Sequence, residues 1–209
     1  MENKPVWKEY EISQLFYIEK GKGNNQKNLL VGITPYVSAT NNNNGIVFYS
    51  NDIACHKANS ITVSDFGQAF YQNSNFSGTH IIVLVPKFNI NKEIGIFVST
   101  CITKSVNKKY SFGYAASSTR FAREKVLLPS KNNEPDYEYM EKFIRDLYSK
   151  KQKEMYNYLI SKLKNISYKK IDELKNKKWQ EYNIDYIFNI LPGKRLEKRK
   201  EELLERQAY

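Results

Sequence analysis

The chain has 209 residues, with 33 Lys plus Arg against 22 Asp plus Glu, a formal net charge of +11 and two cysteines. Leu, Ile, Val and Phe number 54, which lies above the composition of disordered chains and supplies a packed core. The longest apolar run, Ile81 to Val85, falls far short of the roughly 20 residues a membrane span needs.

Met1 to Tyr10 carries no apolar signal region, so a cytoplasmic protein with no membrane contact is expected, with Cys55 and Cys101 reduced. Two cysteines and two histidines give no basis for a structural zinc site. The positive charge resides mainly in lysine, 27 of the 33 basic residues, and Asn is equally abundant at 22. That bias fits an AT-rich genome, so net charge alone supports non-specific phosphate attraction and not the reading of a sequence.

Residues 1–136 hold 15 basic and 10 acidic residues and all but one of the nine glycines. Gly45 to Tyr49, Ser60 to Ser64, Ile81 to Val85 and Lys125 to Leu128 are β-branched or aromatic runs between turn-rich spacers, the pattern of strands. Asn41 to Asn44 before Gly45, and Gln72 to Gly78, read as loops because Asn and Gly tolerate left-handed backbone. Within Asn91 to Ser105, the positions of Ile94, Phe97, Val98 and Cys101 follow helical spacing. The expected class is α+β, a mixed β-rich domain.

From Asp136 the period becomes 3.6 residues. Met140, Ile144, Leu147, Tyr148, Met155, Tyr158 and Leu159 fall on one arc, interrupted by Lys151. Pro135 and Asp136 suit a helix start, and the first helix is expected to run from Tyr137 to about Lys164, roughly 40 Å at 1.5 Å per residue. Asn165 to Ser167 forms a break, and Tyr168 to Lys178 gives a second, more basic helical stretch.

An internal repeat organises the whole. Trp7 to Lys22 reads WKEYEISQLFYIEKGK and Trp179 to Lys194 reads WQEYNIDYIFNILPGK, identical at eight of sixteen positions, both tryptophans of the protein included. The chain thus contains one full unit and the opening of another: residues 1–136 as a domain, 137–178 as a helical spacer, and 179–209 as a second start with a charged helical tail.

This arrangement resembles the DNA-specificity subunit of type I restriction–modification systems, in which two target-recognition domains alternate with two helical spacers. The resemblance is carried by Trp7 to Gly23, Thr34 to Ile46, Asn59 to Ser64, Gly67 to Leu84, Glu124 to Pro129 and Pro135 to Ile144. Where that family continues into a second recognition domain, Arg199 to Tyr209 is a short charged tail, so the chain resembles a half-subunit with one recognition domain and long coiled-coil-forming spacer helices. The resemblance implies a non-catalytic subunit without a cofactor of its own. S-adenosylmethionine would be used by separate methyltransferase (modification) subunits, and cleavage would fall to a restriction subunit. Its expected partners are double-stranded DNA, those subunits and a second copy of itself. The homodimer would associate head to tail through the arc from Met140 to Leu159 and read a bipartite palindrome.

Base-edge contacts call for amides or guanidinium groups, and phosphate contacts for cations. The candidates are Asn41, Asn42, Asn43, Asn44, Gln68 and Tyr71 on loops near a groove, with Lys104, Lys108, Lys109, Arg120 and Arg123 for backbone or guanine contacts. Asn41 to Asn44 more often reads as a solvated turn, Lys108 and Lys109 also read as ordinary surface, and Arg120 as a pin for the strand at Leu127 to Pro129. Trp7, Tyr10, Phe16 and their repeat mates read as packing residues. His56 beside Cys55 is no thiol–imidazole pair, because neighbours on a strand point to opposite faces. His80 reads as a core or edge histidine. Gly21 to Gly23 is too short for a cofactor loop, and no adenine-methylation motif occurs.

Overall fold

In the computed structural model the described residues are 5–111, 113–165, 177, 178, 180, 181 and 183. The chain divides into two compact units, Met1–Lys151 and Gln152–Tyr209.

The first unit is built around a four-stranded sheet in the order β2-β8-β5-β6, comprising β2 (Phe16–Lys20), β8 (Ile81–Pro86), β5 (Ser60–Ser64) and β6 (Ala69–Gln72), all antiparallel. Strands β5 and β8 are covered on both faces, which is why β8 reads as the unbroken run Ile-Ile-Val-Leu-Val. Ile61, Val63, Ile82 and Leu84 point into the main core, and Ile81 and Val83 point the other way into a smaller cluster with Val37 and Phe76.

A second, three-stranded sheet joins that smaller cluster, in the order β4-β3-β7, comprising β3 (Val31–Val37), β4 (Ile46–Ser50) and β7 (Ser77–Gly78). Tyr36 is fully buried there, its hydroxyl donating to the Asn24 carbonyl at 2.8 Å. On the opposite side of the main sheet lies a third one, β1-β9-β10, comprising β1 (Val6–Glu11), β9 (Lys125–Lys131) and β10 (Glu134–Pro135). A hairpin at Asn132 and Asn133, both left-handed with φ of 53° and 69°, joins its last two strands. Between β1 and β2 runs the single turn α1 (Ile12–Leu15), closed by a reciprocal Glu11–Gln14 capping box.

Helix α2 (Lys92–Ser105) starts at the Asn91 cap, whose side chain accepts the Ile94 N–H at 2.9 Å, and packs on β5, β6 and β9. A glycine at position 95 lets it approach: a Cβ there would lie 2.1 Å from the Tyr71 ring. After the short helix α3 (Ser118–Phe121), β9 leads to α4 (Tyr137–Asn165), which Asp136 caps through the Tyr139 N–H at 3.0 Å.

Helices, strands and loops follow the expected mixed class, with differences in detail. Gln72–Gly78 is not all loop, since Ser77 and Gly78 form the buried strand β7. The arc of α4 is not one surface: Met140 and Ile144 are buried in the main core of their own domain, while Leu147, Tyr148, Met155, Tyr158 and Leu159 are exposed. The second spacer stretch lies mostly outside the described residues, and its last two, Lys177 and Lys178, are not helical. Of the second repeat copy, only Glu181 among the matching positions is described, so its packing lies outside the described residues. In the first copy Tyr10, Ile12 and Phe16 are buried, and Trp7 is half-exposed, stacked 6.2 Å from Phe97.

Candidate nucleic-acid interface

The register of the main sheet places Lys20, Ser64, Ala69 and Ile81 at one end of it, because Lys20 pairs with Ile82, Ser64 with Ile81 and Ala69 with Val63. The C-terminal end of α2 arrives at this same end. Thr103 Oγ1 accepts the Ala69 N–H at 2.9 Å and the Gln68 Nε2 at 3.4 Å, and Gly67, at φ +85°, sits against Val106 and Tyr110. The Ala116 N–H donates to the Asp65 carbonyl at 2.8 Å, which brings α3 to the same region.

Of the five expected basic residues, Lys109, Arg120 and Arg123 meet around two adjoining concavities, while Lys104 lies on the last turn of α2 and Lys108 in the turn after it. Lys104 and Lys108 are exposed, the latter at φ +63° in the turn after the helix. Lys109 Nζ lies 2.6 Å from Glu124 Oε2, while the Tyr110 hydroxyl donates to Glu124 Oε1 at 2.9 Å. Burial and that carboxylate push the Tyr110 phenol well above the ordinary tyrosine range. Arg120 donates to the Ala115 carbonyl at 2.6 Å and stacks over the Tyr114 ring at 4.1 Å, so it pins its own loop and not the strand at Leu127 to Pro129. Arg123 is exposed between two open concavities, one of about 420 Å³ shared with Ser117, Thr119, Arg120 and Glu124, the other of about 360 Å³ shared with Glu9, Lys109, Lys125 and Leu127. Lys125 was not singled out from sequence; only folding of β9 beside Arg123 gives it a place here.

The amide candidates separate from this cluster. Gln68 is at the basic end, half-buried and tied to Thr103. Asn41 to Asn44 lie across the other end of β6, where Asn44 Nδ2 donates to the Tyr71 carbonyl at 2.9 Å and Gln72 Nε2 donates to the Asn44 carbonyl at 3.0 Å. Asn43 Nδ2 donates to the Ile46 carbonyl at 3.1 Å. These two amides close a left-handed turn, at φ of 47° and 56°, and Asn41 and Asn42 are exposed beside it. Tyr71 is not on a loop: it is buried in β6 under Gly95, its hydroxyl donating to Asn59. The alternation of β6 turns it inward, so it faces the core rather than a groove.

His56 is a structural residue. Its Nε2 accepts the Lys22 N–H at 2.9 Å, its Nδ1 lies 3.5 Å from Glu19 Oε2, and its ring stacks on Phe76. Burial holds its basicity below the ordinary imidazole value, Lys22 adding to the effect and Glu19 opposing it. His80 differs from expectation in being exposed, at φ +58°, with Nδ1 3.8 Å from Asp65 Oδ2. Burial pushes the half-buried Cys101 thiol up to about 11, so it stays protonated near neutrality. Among the described residues no cluster of three or more His, Cys, Asp or Glu is placed to hold a metal, and no helix is long and apolar enough to cross a membrane.

A specificity subunit from Heyndrickxia coagulans, S.BcgI of the Type II restriction enzyme BgcI, is 30% identical over 210 residues, covering 95% of this chain and 59% of that protein. The S subunit of a type I restriction–modification system from M. genitalium aligns at 21% identity over 77% of this chain and 43% of that one, with a TM-score of 0.49. A chain from a study of complex assembly and conformational transition of the type I R-M system aligns at 12% identity over 84% and 44%, with a TM-score of 0.50. The chain thus spans well under two thirds of the length of each of these proteins. The family model of the type I restriction modification DNA specificity domain matches residues 5–157, most of the chain and all three sheets described above, and the chain belongs to that family.

Proposed function

We propose that this chain recognises a DNA sequence as a half-subunit of a restriction–modification system and does no chemistry itself. The observation that carries the reading is the gathering of Lys109, Arg120, Arg123 and Lys125 around two adjoining concavities beside the turn that follows α2, in a domain of the specificity family. Cations grouped on one exposed end meet a phosphate backbone and fix the register from which nearby side chains reach base edges.

Two copies pair head to tail through the exposed part of the α4 arc, Leu147, Tyr148, Met155, Tyr158 and Leu159, because an apolar stripe left in water seeks a partner. Identical reading heads on a two-fold dimer read a palindrome of two half-sites separated by an unread spacer. Methyl transfer from S-adenosylmethionine and cleavage belong to separate modification and restriction subunits that the dimer directs, in the cytoplasm.

The test is selection from a randomised duplex library at near-physiological salt, by the chain mixed with its modification subunit. An enriched palindrome with half-sites about one helical turn, 34 to 36 Å, apart supports the reading. A complex that forms with no enriched site overturns sequence recognition and leaves a fragment that only dimerises or binds the modification subunit.

A further inference from the structure

The end of the β3–β4 ribbon opposite Asn41–Asn44 displays large aliphatic side chains to solvent. Ile33 is 91% exposed, Ile53 83%, Val31 74% and Leu30 60%. A rigid frame holds them out. Leu30 and Asn51 exchange two hydrogen bonds, the Leu30 N–H to Asn51 Oδ1 at 3.0 Å and the Asn51 N–H to the Leu30 carbonyl at 2.9 Å. Next to them Asp52 is buried, taking the Asn24 N–H at 3.0 Å, the Asn24 side-chain amide at 2.7 Å and the Ile53 N–H at 2.9 Å.

A bulge then turns Ile33 outward. Val31 and Thr34 both register with Ser50, leaving Gly32 and Ile33 unpaired, and a Cβ on Gly32 would lie 2.4 Å from the Ser50 carbonyl oxygen. Only glycine allows that approach. Bulges of this kind re-aim side chains and cluster beside functional sites.

The charge of the flanking segments favours a polyanion. From Lys20 to Ser64 the chain carries four lysines, Lys20, Lys22, Lys27 and Lys57, and one acid, Asp52, whose carboxylate is turned inward and fully engaged. An apolar tip carried on a segment rich in lysine and asparagine is complementary to a polyanion that also offers apolar groups. The tip also projects from the same end of the main sheet as the α2 cluster, since Gly21 N–H bonds the Ile81 carbonyl at 2.9 Å and the chain continues through Lys22 and Asn24 to Asp52.

We infer that the β3–β4 ribbon tip is a base-contacting element, with Ile33 and Ile53 packing on thymine methyl groups in the major groove of duplex DNA. A two-stranded ribbon fits that groove, and the thymine 5-methyl is the apolar group it presents. This rests on the reading of the chain as a DNA reader. It adds that one or two A·T positions of each half-site are specified by apolar contact.

The experiment is library selection with the wild-type chain, Ile33→Ser, Ile53→Ser and Arg123→Ala, each with the modification subunit, followed by binding to the selected duplex with deoxyuridine replacing thymidine position by position. The serine substitutions fall on exposed side chains and leave the fold intact, checked by thermal melting. Expected is at least a tenfold loss of preference at particular A·T positions for the serine variants, the other positions being kept. Deoxyuridine at those positions should weaken the wild-type complex and leave the serine variants unaffected. Arg123→Ala should weaken all sequences alike.

Serine variants that select the wild-type motif unchanged overturn the inference while leaving DNA recognition standing. Serine variants that lose the modification subunit instead make the tip a protein contact and overturn it as well. A wild-type chain that enriches nothing overturns both.

Discussion

Lys109 Nζ sits 2.6 Å from Glu124 Oε2, and the remaining oxygen of that carboxylate takes the Tyr110 hydroxyl at 2.9 Å. Glu124 thus lies inside the basic end of the domain, as does Glu9, and it holds a lysine and a tyrosine in place while offsetting part of the field that phosphates meet. Glu124→Gln keeps an acceptor for Tyr110 and removes the charge. Its affinity for a duplex of arbitrary sequence should rise roughly three- to tenfold at low salt and converge with wild type as salt is raised, measured by fluorescence anisotropy. Equal affinities at every salt concentration would move the phosphate contacts elsewhere.

Arg120 and Arg123 are neighbours with different tasks. Arg123→Ala should lower duplex affinity and reduce the slope of log K against log salt by about 0.9, one phosphate contact. Arg120→Ala should lower Tm, because it releases the Ala115 carbonyl and the Tyr114 ring. Salt titration and thermal melting of the two variants separate these roles, and identical behaviour would sink the distinction.

Folding lowers the basicity of His56 below its ordinary value of 6.5, chiefly by burial. Just below pH 6.5 the unfolded chain binds a proton at this site that the folded chain does not, so stability falls as the pH drops through 6.5 toward the lowered folded value. His56→Gln retains an acceptor for the Lys22 N–H and lacks the titration. The difference in Tm between pH 7.5 and pH 5 should therefore shrink in the variant; an unchanged difference would assign the acid sensitivity to other groups.

Gly95 and Tyr71 are a matched pair, glycine on the helix and ring on the strand. Gly95→Ala should destabilise by about 1–3 kcal/mol from overpacking, despite alanine's better helix propensity. Tyr71→Val beside it should make the double variant less destabilised than the sum of the singles, as read from denaturant melts.

Within α4 the same stripe serves two ends. Met140→Ala should cost about 2–5 kcal/mol of domain stability, since that side chain is fully buried. Met155→Ser with Leu159→Ser should leave the melting of the domain unchanged and shift sedimentation toward the monomer. A dimer that survives the second pair would place the association outside this face.

What could be read in advance follows from how local each signal was. Strands β5 and β8 and helices α2 and α4 carry their own evidence, in an apolar run, a 3.6-residue period and caps at Asn91 and Asp136. Strands β1 and β2 did not, because the Glu11–Gln14 turn interrupts their alternation, and Trp7 to Lys22 reads as one copy of a repeat, with Trp7, Tyr10 and Phe16 as packing residues, rather than as two strands. Strand β3, broken by Gly32 and Pro35, looks like turn chemistry until Ser50 lies beside it.

The basic residues were recognisable by type. The convergence of Lys109, Arg123 and Lys125 was not, because it depends on β9 starting beside the turn that follows α2. Tyr71 went astray for the same reason: nothing near it in sequence announces that Gly95 lies above it. The exposure of Ile33 and Ile53 has no local signal at all, since an isoleucine displayed by a bulge is spelled like one that is buried.

The turn at Asn44 and Gly45 also governs the chemical ageing of the chain. Asn-Gly is the step at which a backbone nitrogen most readily attacks the preceding side-chain amide, closing a succinimide and releasing ammonia. Here the Gly45 nitrogen is engaged with the Asn42 carbonyl at 2.9 Å, and the Asn44 amide is held to the Tyr71 carbonyl. Both reacting groups are hydrogen-bonded in the folded turn, so the step has to break those bonds first and runs faster when this end of β6 opens. Water then opens the succinimide at one carbonyl or the other to aspartate or isoaspartate, and the ionised carboxylate of either has no proton to give the Tyr71 carbonyl oxygen, so the bond that holds the turn to β6 is lost.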